Sequence, residues 1–188
     1  PRFSVGGGSL AVAPQFRRSA KVVLMFGGQY FTQIGTSGNA FFAIDNCAPF
    51  PPGTGNPKFE PGEWAHVAAV SDEDEVRMYV NGVCGQRVER MATPQQAPHP
   101  FEGFWIGGHP FAGQIQYHMT MLINEVRVSK TARYADDFKP SRRLETDSDT
   151  LTLLHCDEGD GVLLRDSSGH EHNAQVTAPQ WVQIEKPK

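Results

Sequence analysis

Residues 76–89 have the sequence VRMYVNGVCGQRVE and predict a β-hairpin more clearly than any other stretch of the chain. Val76, Met78 and Val80 alternate with Arg77 and Tyr79, which is the period-two pattern of a strand buried on one face. The Asn-Gly dipeptide that follows accepts the positive φ angles of a type I′ turn. Residues 83–89 are therefore expected to return beside a half-buried strand as its antiparallel partner.

Short runs rich in β-branched and aromatic residues recur on both sides of this hairpin, whereas helical periodicity is limited to one expected turn at 130–136. Segments 49–61 and 91–100 are expected to be loops because proline cannot donate to a sheet ladder. Further strands are predicted at 22–26, 40–45, 64–70, 104–107, 123–128, 150–156, 162–165 and 181–184. The pattern predicts an all-β fold of two antiparallel sheets packed face to face.

Length and composition favour one domain spanning residues 1–188, with 19 Gly and 14 Pro to supply its turns. The net charge of −4, without a long basic run, argues against a nucleic-acid partner. No apolar stretch is long enough to cross a bilayer. The chain opens at Pro1 without an initiator Met or a signal segment, so we expect a processed form or a piece of a larger protein.

Three cysteines cannot all pair within one chain, so a disulfide framework is not indicated. The sequence leaves open whether Cys47 and Cys84 form a bridge. Cys156 ends an apolar run and is predicted to be a buried, unpaired thiol.

Several motifs together carry a family resemblance: EWAHVA at 63–68, VRMYVNG at 76–82, IG at 106–107, FAG at 111–113, NEVRVS at 124–129 and ARY at 132–134. Their order and spacing resemble the laminin-G-like jelly rolls of the concanavalin A-like lectin and glucanase superfamily. The tail, with LLHCDEG at 153–159 and DSSG at 166–169, is similar to an element of bacterial modules of this kind. The resemblance covers roughly residues 60–182 and implies a two-sheet antiparallel jelly roll.

The chain departs from the family pattern at two places. Residues 1–20 lack the Trp that usually accompanies the opening strand, so the N-terminal strand is expected to be truncated or divergent. Residues 114–123 are an insertion after the FAG motif. They form either a specificity loop or a longer hairpin in which Met119, Met121 and Ile123 pack inward.

Aromatic residues in loops are the best candidates for a binding rim, because a sugar ring stacks on an aromatic face while polar groups bind its hydroxyls. The candidate platform comprises Phe50, Phe111, Tyr117 and His118. Trp64 and Trp105 lie in predicted strands and are expected in the core instead.

Acidic and histidine clusters suggest metal sites, but each has a simpler explanation. Asp157, Glu158 and Asp166 offer oxygen ligands for Ca²⁺, yet no calcium-loop spacing is present and turn hydrogen bonds explain them better. The sequence His170-Glu171-His172 has no Cys pair beside it, so an exposed turn is favoured over structural zinc. We expect no cofactor, with Ca²⁺ as the one candidate.

A catalytic role is the least expected. Glucanases of this superfamily carry a Glu-x-Asp-x-x-Glu pattern on one strand face, and the pattern is absent here. The acidic stretch at 71–75 is predicted to be a solvated turn, and His66 and His155 are expected to be hydrogen-bonded core or rim residues.

The resemblance implies a non-catalytic recognition module of a secreted or cell-surface protein, attached to a larger multidomain chain and binding glycan or polysaccharide through rim loops. The alternative is a domain that binds a protein ligand or acts as a spacer. A divergent glycoside hydrolase ranks third.

Overall fold

Strands are the only regular secondary structure in the part of the chain that the structure describes. A computed structural model describes the backbone of residues 6–14, 21–26, 30–34, 40–44, 64–72, 74–89, 104–106, 109–111, 114–116 and 121–183. The strands in chain order are β1 (Gly6–Pro14), β2 (Lys21–Phe26), β3 (Tyr30–Ile34), β4 (Ala40–Ile44), β5 (Ala65–Ser71), β6 (Glu75–Val80), β7 (Val83–Glu89), β8 (Phe104–Ile106), β9 (His109–Phe111), β10 (Gln114–Gln116), β11 (Met121–Ser129), β12 (Thr150–Leu154), β13 (Leu163–Leu164) and β14 (Ala174–Gln175).

Two larger sheets form the sandwich. One has six strands in the order β12-β11-β1-β5-β6-β7, and the other has four in the order β4-β3-β2-β8. Neighbouring strands are antiparallel in both sheets, and β4 approaches β6 from the second sheet. Two short ribbons, β9–β10 and β13–β14, complete the described strands. The predicted all-β sandwich of antiparallel sheets is confirmed.

The hairpin of β6 and β7 forms as predicted, with Asn81 at φ 52° and Gly82 at φ 80° in the turn. The expectation of a half-buried β6 was wrong, because residues 76–80 are all buried. Met78 and Tyr79 lie on opposite faces of the strand and both are fully buried. The face that carries Tyr79 therefore has a cover other than the second sheet.

This cover is the segment 130–149, which we call the strap. It crosses the face of the six-stranded sheet that carries Tyr79, and Tyr134 stacks on Phe138 with ring centroids 3.6 Å apart. Both rings lie against Tyr79 at edge-on angles. Ala68, Val70 and Tyr79 form the buried cluster under these rings. The six-stranded sheet is thus covered on this outer face by irregular chain.

The helical turn expected at 130–136 does not form, and hydrogen bonds of the strap's backbone hold it to the sheet instead. The Phe138 N–H donates to Gly82 O at 2.9 Å. The Tyr134 carbonyl accepts from Tyr79 Oη at 3.0 Å. Near the strap's ends, Arg133 binds both carboxylate oxygens of Asp147 at 2.5 and 2.6 Å.

β1 lies between β11 and β5 inside the six-stranded sheet, and Leu10 pairs with both Val126 and Val67. This strand was not predicted, because GGGSLAVAP lacks the β-branched and aromatic content that indicates strands. β3, β9 and β14 were also missed, whereas β10 lies in the insertion for which a hairpin was one of two alternatives.

Some predicted strands were too long or absent. β12 ends at Leu154, two residues before Cys156, and β13 has only two residues. Residues 181–183, predicted as strand, are irregular, and Trp181 Nε1–H donates to Gly161 O at 3.0 Å. Residue 184 lies outside the described residues.

Candidate functional site

The outer face of the six-stranded sheet carries polar residues at one end. Ala11 of β1 pairs with both His66 and Glu125, so these two side chains share a face. Ser9 likewise pairs with both Ala68 and Arg127. His66 contacts Phe138 of the strap edge-on, with ring centroids 5.5 Å apart, which identifies this face as the outer one.

Glu125 is the centre of the polar cluster and is only 3% exposed. Its Oε2 accepts the Leu144 N–H of the strap at 2.9 Å, and its Oε1 lies 2.6 Å from His155 Nδ1. Arg143 Nε is 3.6 Å from the same Oε1, and Arg143 also binds Asp157 at 2.8 Å. One buried carboxylate thus anchors the strap and orients an imidazole and a guanidinium that reach solvent.

A depression of about 470 Å³ opens beside this cluster. Its volume falls within the range of small-molecule sites, about 300–1,000 Å³. Hydrogen-bonding side chains dominate the lining, which consists of Arg143, Leu144, Glu145, Thr146, Leu153, His155 and Ser167. Such a surface suits a small ligand rich in hydroxyl groups better than an apolar one.

An exposed apolar patch, which we call the Trp64 patch, borders the same end of the sheet. Trp64 lies two residues before His66 and so on the same face, and 40% of it is exposed. Leu122 pairs with Ala13 of β1, two residues beyond Ala11, and is 39% exposed. Two strand spacings of about 4.8 Å separate Trp64 from Leu122 across β1. Both side chains are exposed apolar groups at this end of the sheet.

The expectation that Trp64 and Trp105 are core residues was wrong. Trp64 directly precedes β5, at the end of the sheet. Among the described residues, the strap contacts this strand further along, where Phe138 lies against His66. Trp105 lies in β8, the edge strand of the four-stranded sheet, and is 37% exposed. An aromatic in a short apolar run predicted burial, but strand ends and sheet edges leave such rings in contact with solvent.

The starts of β5 and β11 both lie at this end of the sheet. Pro14 pairs with Met121 and Val12 with Ala65, so β5 and β11 both begin where β1 ends. Residues 45–63 lead into β5 and residues 117–120 lead into β11. The predicted rim residues Phe50, Tyr117 and His118 lie outside the described residues, as does the side chain of Phe111.

The insertion at 114–123 contains strand at both of its ends. β10 pairs with β9, and residues 121–123 already belong to β11. Ile123 pairs with Val12, whereas its neighbour Leu122 is exposed. Met119 lies outside the described residues, so the choice between loop and hairpin stays open for residues 117–120.

The carboxylates considered for calcium satisfy donors within the fold. Asp166 accepts from Leu153 N and Ser168 N at 2.9 Å, and from Ser168 Oγ at 2.7 Å. Burial alone would raise the pKa of Asp166, but these hydrogen bonds outweigh it and lower the pKa. Glu158 accepts from Arg165 N at 2.7 Å. No group of three or more His, Cys, Asp or Glu side chains is placed to bind a metal in the described part of the chain.

His66 differs from the expected hydrogen-bonded histidine. Its backbone N–H donates to Asn81 Oδ1 at 2.9 Å, but both ring nitrogens are buried without a hydrogen-bond partner among the described residues. Burial, with the nearby positive charge of Arg127, lowers the pKa of His66 to about 4. The neutral ring therefore serves as packing under the strap.

Two further expectations concern the cysteines and the acidic turn. Cys84 and Cys156 are free, Cys156 is only partly buried, and Cys47 lies outside the described residues. Burial raises the pKa of the Cys156 thiol to about 12.

The acidic turn is not simply solvated, because Asp72 binds the buried Arg77 at 2.6 Å and Glu75 binds the same guanidinium.

In the part of the chain that the structure describes, no helix has the length and apolar character needed to cross a bilayer. No curated protein matches the sequence.

The solved structures that this chain resembles include two jelly rolls. A Bacteroides ovatus protein, provisionally described as carbohydrate binding, superposes with a TM-score of 0.66 at 17% identity over 94% of this chain. The chain spans 55% of that protein's length. The native heptameric SAP-like pentraxin from Limulus polyphemus gives a TM-score of 0.52 at 18% identity, covering 68% of this chain and 64% of the pentraxin. At these identities the likeness establishes the fold.

A family model described as Laminin_G_3, concanavalin A-like lectin/glucanases superfamily, matches residues 11–138. This range begins within the central strand β1 and takes in the hairpin of β6 and β7 and the first half of the strap. The chain belongs to this laminin-G-like family of the concanavalin A-like lectin and glucanase superfamily.

Proposed function

We propose that the chain is a non-catalytic recognition module that binds a glycan or polysaccharide at the Trp64 end of its six-stranded sheet. The observation that carries the proposal is the exposed Trp64 ring at the same sheet end as the polar depression around Glu125. The family, and the carbohydrate-binding description of the Bacteroides protein, support the same class of ligand.

The chemistry of the two surfaces is complementary to a sugar. The Trp64 face offers apolar area for the C–H face of a pyranose ring. Arg143, Glu145, Thr146 and Ser167 offer donors and acceptors for hydroxyl groups. Glu125 contacts both His155 and Arg143 and restricts their side chains. Less conformational entropy is therefore lost when these side chains bind a ligand. We include in the proposed platform the predicted rim residues Phe50, Tyr117 and His118, together with Phe111, which lies at the end of β9 and not in the loop that the sequence predicted.

The carboxylates near the depression support a binding role over hydrolysis. Glycoside hydrolysis uses two carboxyl groups that reach the scissile bond, one of them as a proton donor. Glu145 in the lining is exposed, but Glu125 is buried and bonded to the Leu144 N–H and to His155, and Asp157 is paired with Arg143. We extend the proposal to a module of a secreted or cell-surface protein with further domains, in which calcium is dispensable to the fold.

A glycan array and a panel of soluble polysaccharides test the proposal directly. We expect retention on at least one polysaccharide class and no release of reducing sugar on prolonged incubation. A double variant with Tyr117→Ala and His118→Ala should lose binding at an unchanged melting temperature. Loss of stability with normal binding would instead identify residues 117–120 as packing.

The competing functions give different outcomes. A glycan-negative chain that binds a purified protein partner in a stoichiometric complex would replace the proposal with a protein-interaction domain. Steady release of reducing sugar that Glu125→Gln abolishes would replace it with a hydrolase.

A further inference from the structure

His170 and His172 form a histidine pair that the proposed glycan site does not use. They lie in the exposed turn between β13 and β14, two residues apart. Their rings are close to parallel, with an interplanar angle of 15° and centroids 5.8 Å apart. The two imidazoles are therefore exposed neighbours in this turn.

A backbone carbonyl determines which ring nitrogen of His172 carries the hydrogen. Its Nδ1 lies 2.8 Å from the Leu151 carbonyl oxygen of β12. A carbonyl oxygen can only accept, so Nδ1 carries the hydrogen and donates it. Thr152 Oγ1, at 3.2 Å from the same nitrogen, adds a second contact. In the neutral ring the lone pair then belongs to Nε2.

His170 is fixed in the same way, through a serine. Its Nδ1 lies 3.0 Å from Ser168 Oγ. The single hydroxyl hydrogen of Ser168 is directed to Asp166 Oδ2 at 2.7 Å or to Leu151 O at 3.0 Å, and both are acceptors. Ser168 Oγ must therefore accept from His170 Nδ1–H, which again leaves the lone pair on Nε2.

Both rings are thus held in the form that binds metal ions. Histidines that ligate metals almost always donate their other ring N–H to a carbonyl, a carboxylate or a group hydrogen-bonded to one, and this contact fixes the ring orientation. With metal–nitrogen distances of about 2.0–2.1 Å, two rings on one tetrahedral ion have centroids about 5 Å apart. The observed centroids are 5.8 Å apart with the ring planes 15° from parallel, so one imidazole must turn about its Nδ1 hydrogen bond before both Nε2 lone pairs point at one ion.

We propose that His170 and His172 bind one divalent transition-metal ion, Zn²⁺ or Cu²⁺, through their two Nε2 atoms. Imidazole nitrogens suit these ions, whereas Ca²⁺ and Mg²⁺ prefer oxygen ligands. No third His, Cys, Asp or Glu joins the pair among the residues that the structure describes. The remaining coordination positions are therefore open to water or to an oxygen atom of a bound molecule.

Calorimetric titration of the full chain with ZnCl₂ tests the proposal, with melting temperature measured for every variant. We expect one equivalent of Zn²⁺ to bind, at least tenfold more weakly in His170→Ala or His172→Ala, and not in the double variant. Glu171→Gln is the matched control, since it changes the residue between the pair and leaves both imidazoles, and it should bind within about threefold of the original chain.

The serine provides a test of preorganisation that a mere pair of surface histidines would not pass. Loss of an outer-shell partner typically weakens metal binding about 10- to 100-fold, so Ser168→Ala should lose at least tenfold. Ser168→Thr keeps the hydroxyl and should retain the affinity. Electron paramagnetic resonance with Cu²⁺ should show two nitrogen donors, falling to one in either single variant.

Undiminished Zn²⁺ binding by the double variant would overturn the proposal, and so would equal affinities of Ser168→Ala and the original chain at equal melting temperatures. The titration contains no glycan and the variants lie outside the depression. A failed Zn²⁺ titration would therefore not argue against the proposed glycan site. A failed glycan-binding test would likewise not argue against the proposed metal site.

Discussion

Replacing Gly82 with alanine tests whether the strap is an integral part of the fold. Gly82 has φ +80°, and a Cβ at this position would lie 1.8 Å from the Phe138 carbonyl oxygen and 2.9 Å from its carbon. Both neighbours are backbone atoms, so no rotation of a side chain relieves the clash. The strap must therefore move away from the hairpin turn in Gly82→Ala.

The expected cost is the sum of two parts. A non-glycine residue in the left-handed region costs about 1–2 kcal/mol. Displacement of the strap breaks the hydrogen bond from Phe138 N–H to Gly82 O, worth about 1 kcal/mol, and loosens the packing of Phe138 on Tyr79 by a similar amount or more. We expect Gly82→Ala to lower the free energy of unfolding by about 3–4 kcal/mol.

Gly159→Ala is the matched control. Gly159 has φ +79°, and no atom outside its chain neighbours lies within 4 Å of its Cβ position. This variant should show the left-handed cost alone, about 1–2 kcal/mol. Urea unfolding of both variants, monitored by tryptophan fluorescence, measures the difference. Equal losses in the two variants would refute the close contact of the strap with Gly82.

Three further predictions concern titration and ligands. The pKa of His66 is about 4 in the fold against 6.5 for the free side chain, so the unfolded chain takes up the proton first and stability falls as pH drops from 6.5 towards 4. Measured by urea unfolding, the free energy of unfolding should fall by about 2 kcal/mol between pH 7 and 4.5 because of His66. In His66→Leu the fall over the same pH range should be smaller by that amount. Cys156, with its pKa near 12, should react with iodoacetamide at pH 8 at least tenfold more slowly in the native than in the urea-unfolded chain, and equal rates mapped by mass spectrometry would contradict this. A chelator should shift the melting temperature by less than about 2 °C, because Asp166 and Glu158 already bind donors within the fold; a large drop restored by Ca²⁺ would make them and Asp157 ligands.

The strands that the sequence predicted well are those whose sequence signals are local. The hairpin at residues 75–89 was predictable because alternation and an Asn-Gly turn act over a few residues. β1 was not predictable from its own composition, since its place in the sheet depends on pairing with residues more than fifty positions away. The burial of β6 on both faces was not predicted for the same reason, because the strap that covers its outer face is also distant in sequence.

The candidate site was predicted only in outline. The family resemblance indicated a binding module, but sequence had no means of showing that Glu125, Arg143 and His155 meet at one end of the sheet. Trp64 was assigned to the core because an aromatic in a strand is usually buried, and its position before the first strand residue was the missing information. The histidine pair was visible in the sequence, but the hydrogen bonds that fix its tautomers cross from β12.

Affinity electrophoresis of Trp64→Ala beside Trp105→Ala tests the proposed recognition surface most directly. The two residues are similarly exposed, at 40% and 37%, but lie in different sheets. In gels containing β-glucan, xylan or mannan, the original chain and Trp105→Ala should be retarded alike by the polysaccharide that binds. Trp64→Ala should bind at least tenfold more weakly, a loss of about 1.4 kcal/mol. Retardation of Trp64→Ala equal to that of the original chain would contradict the account.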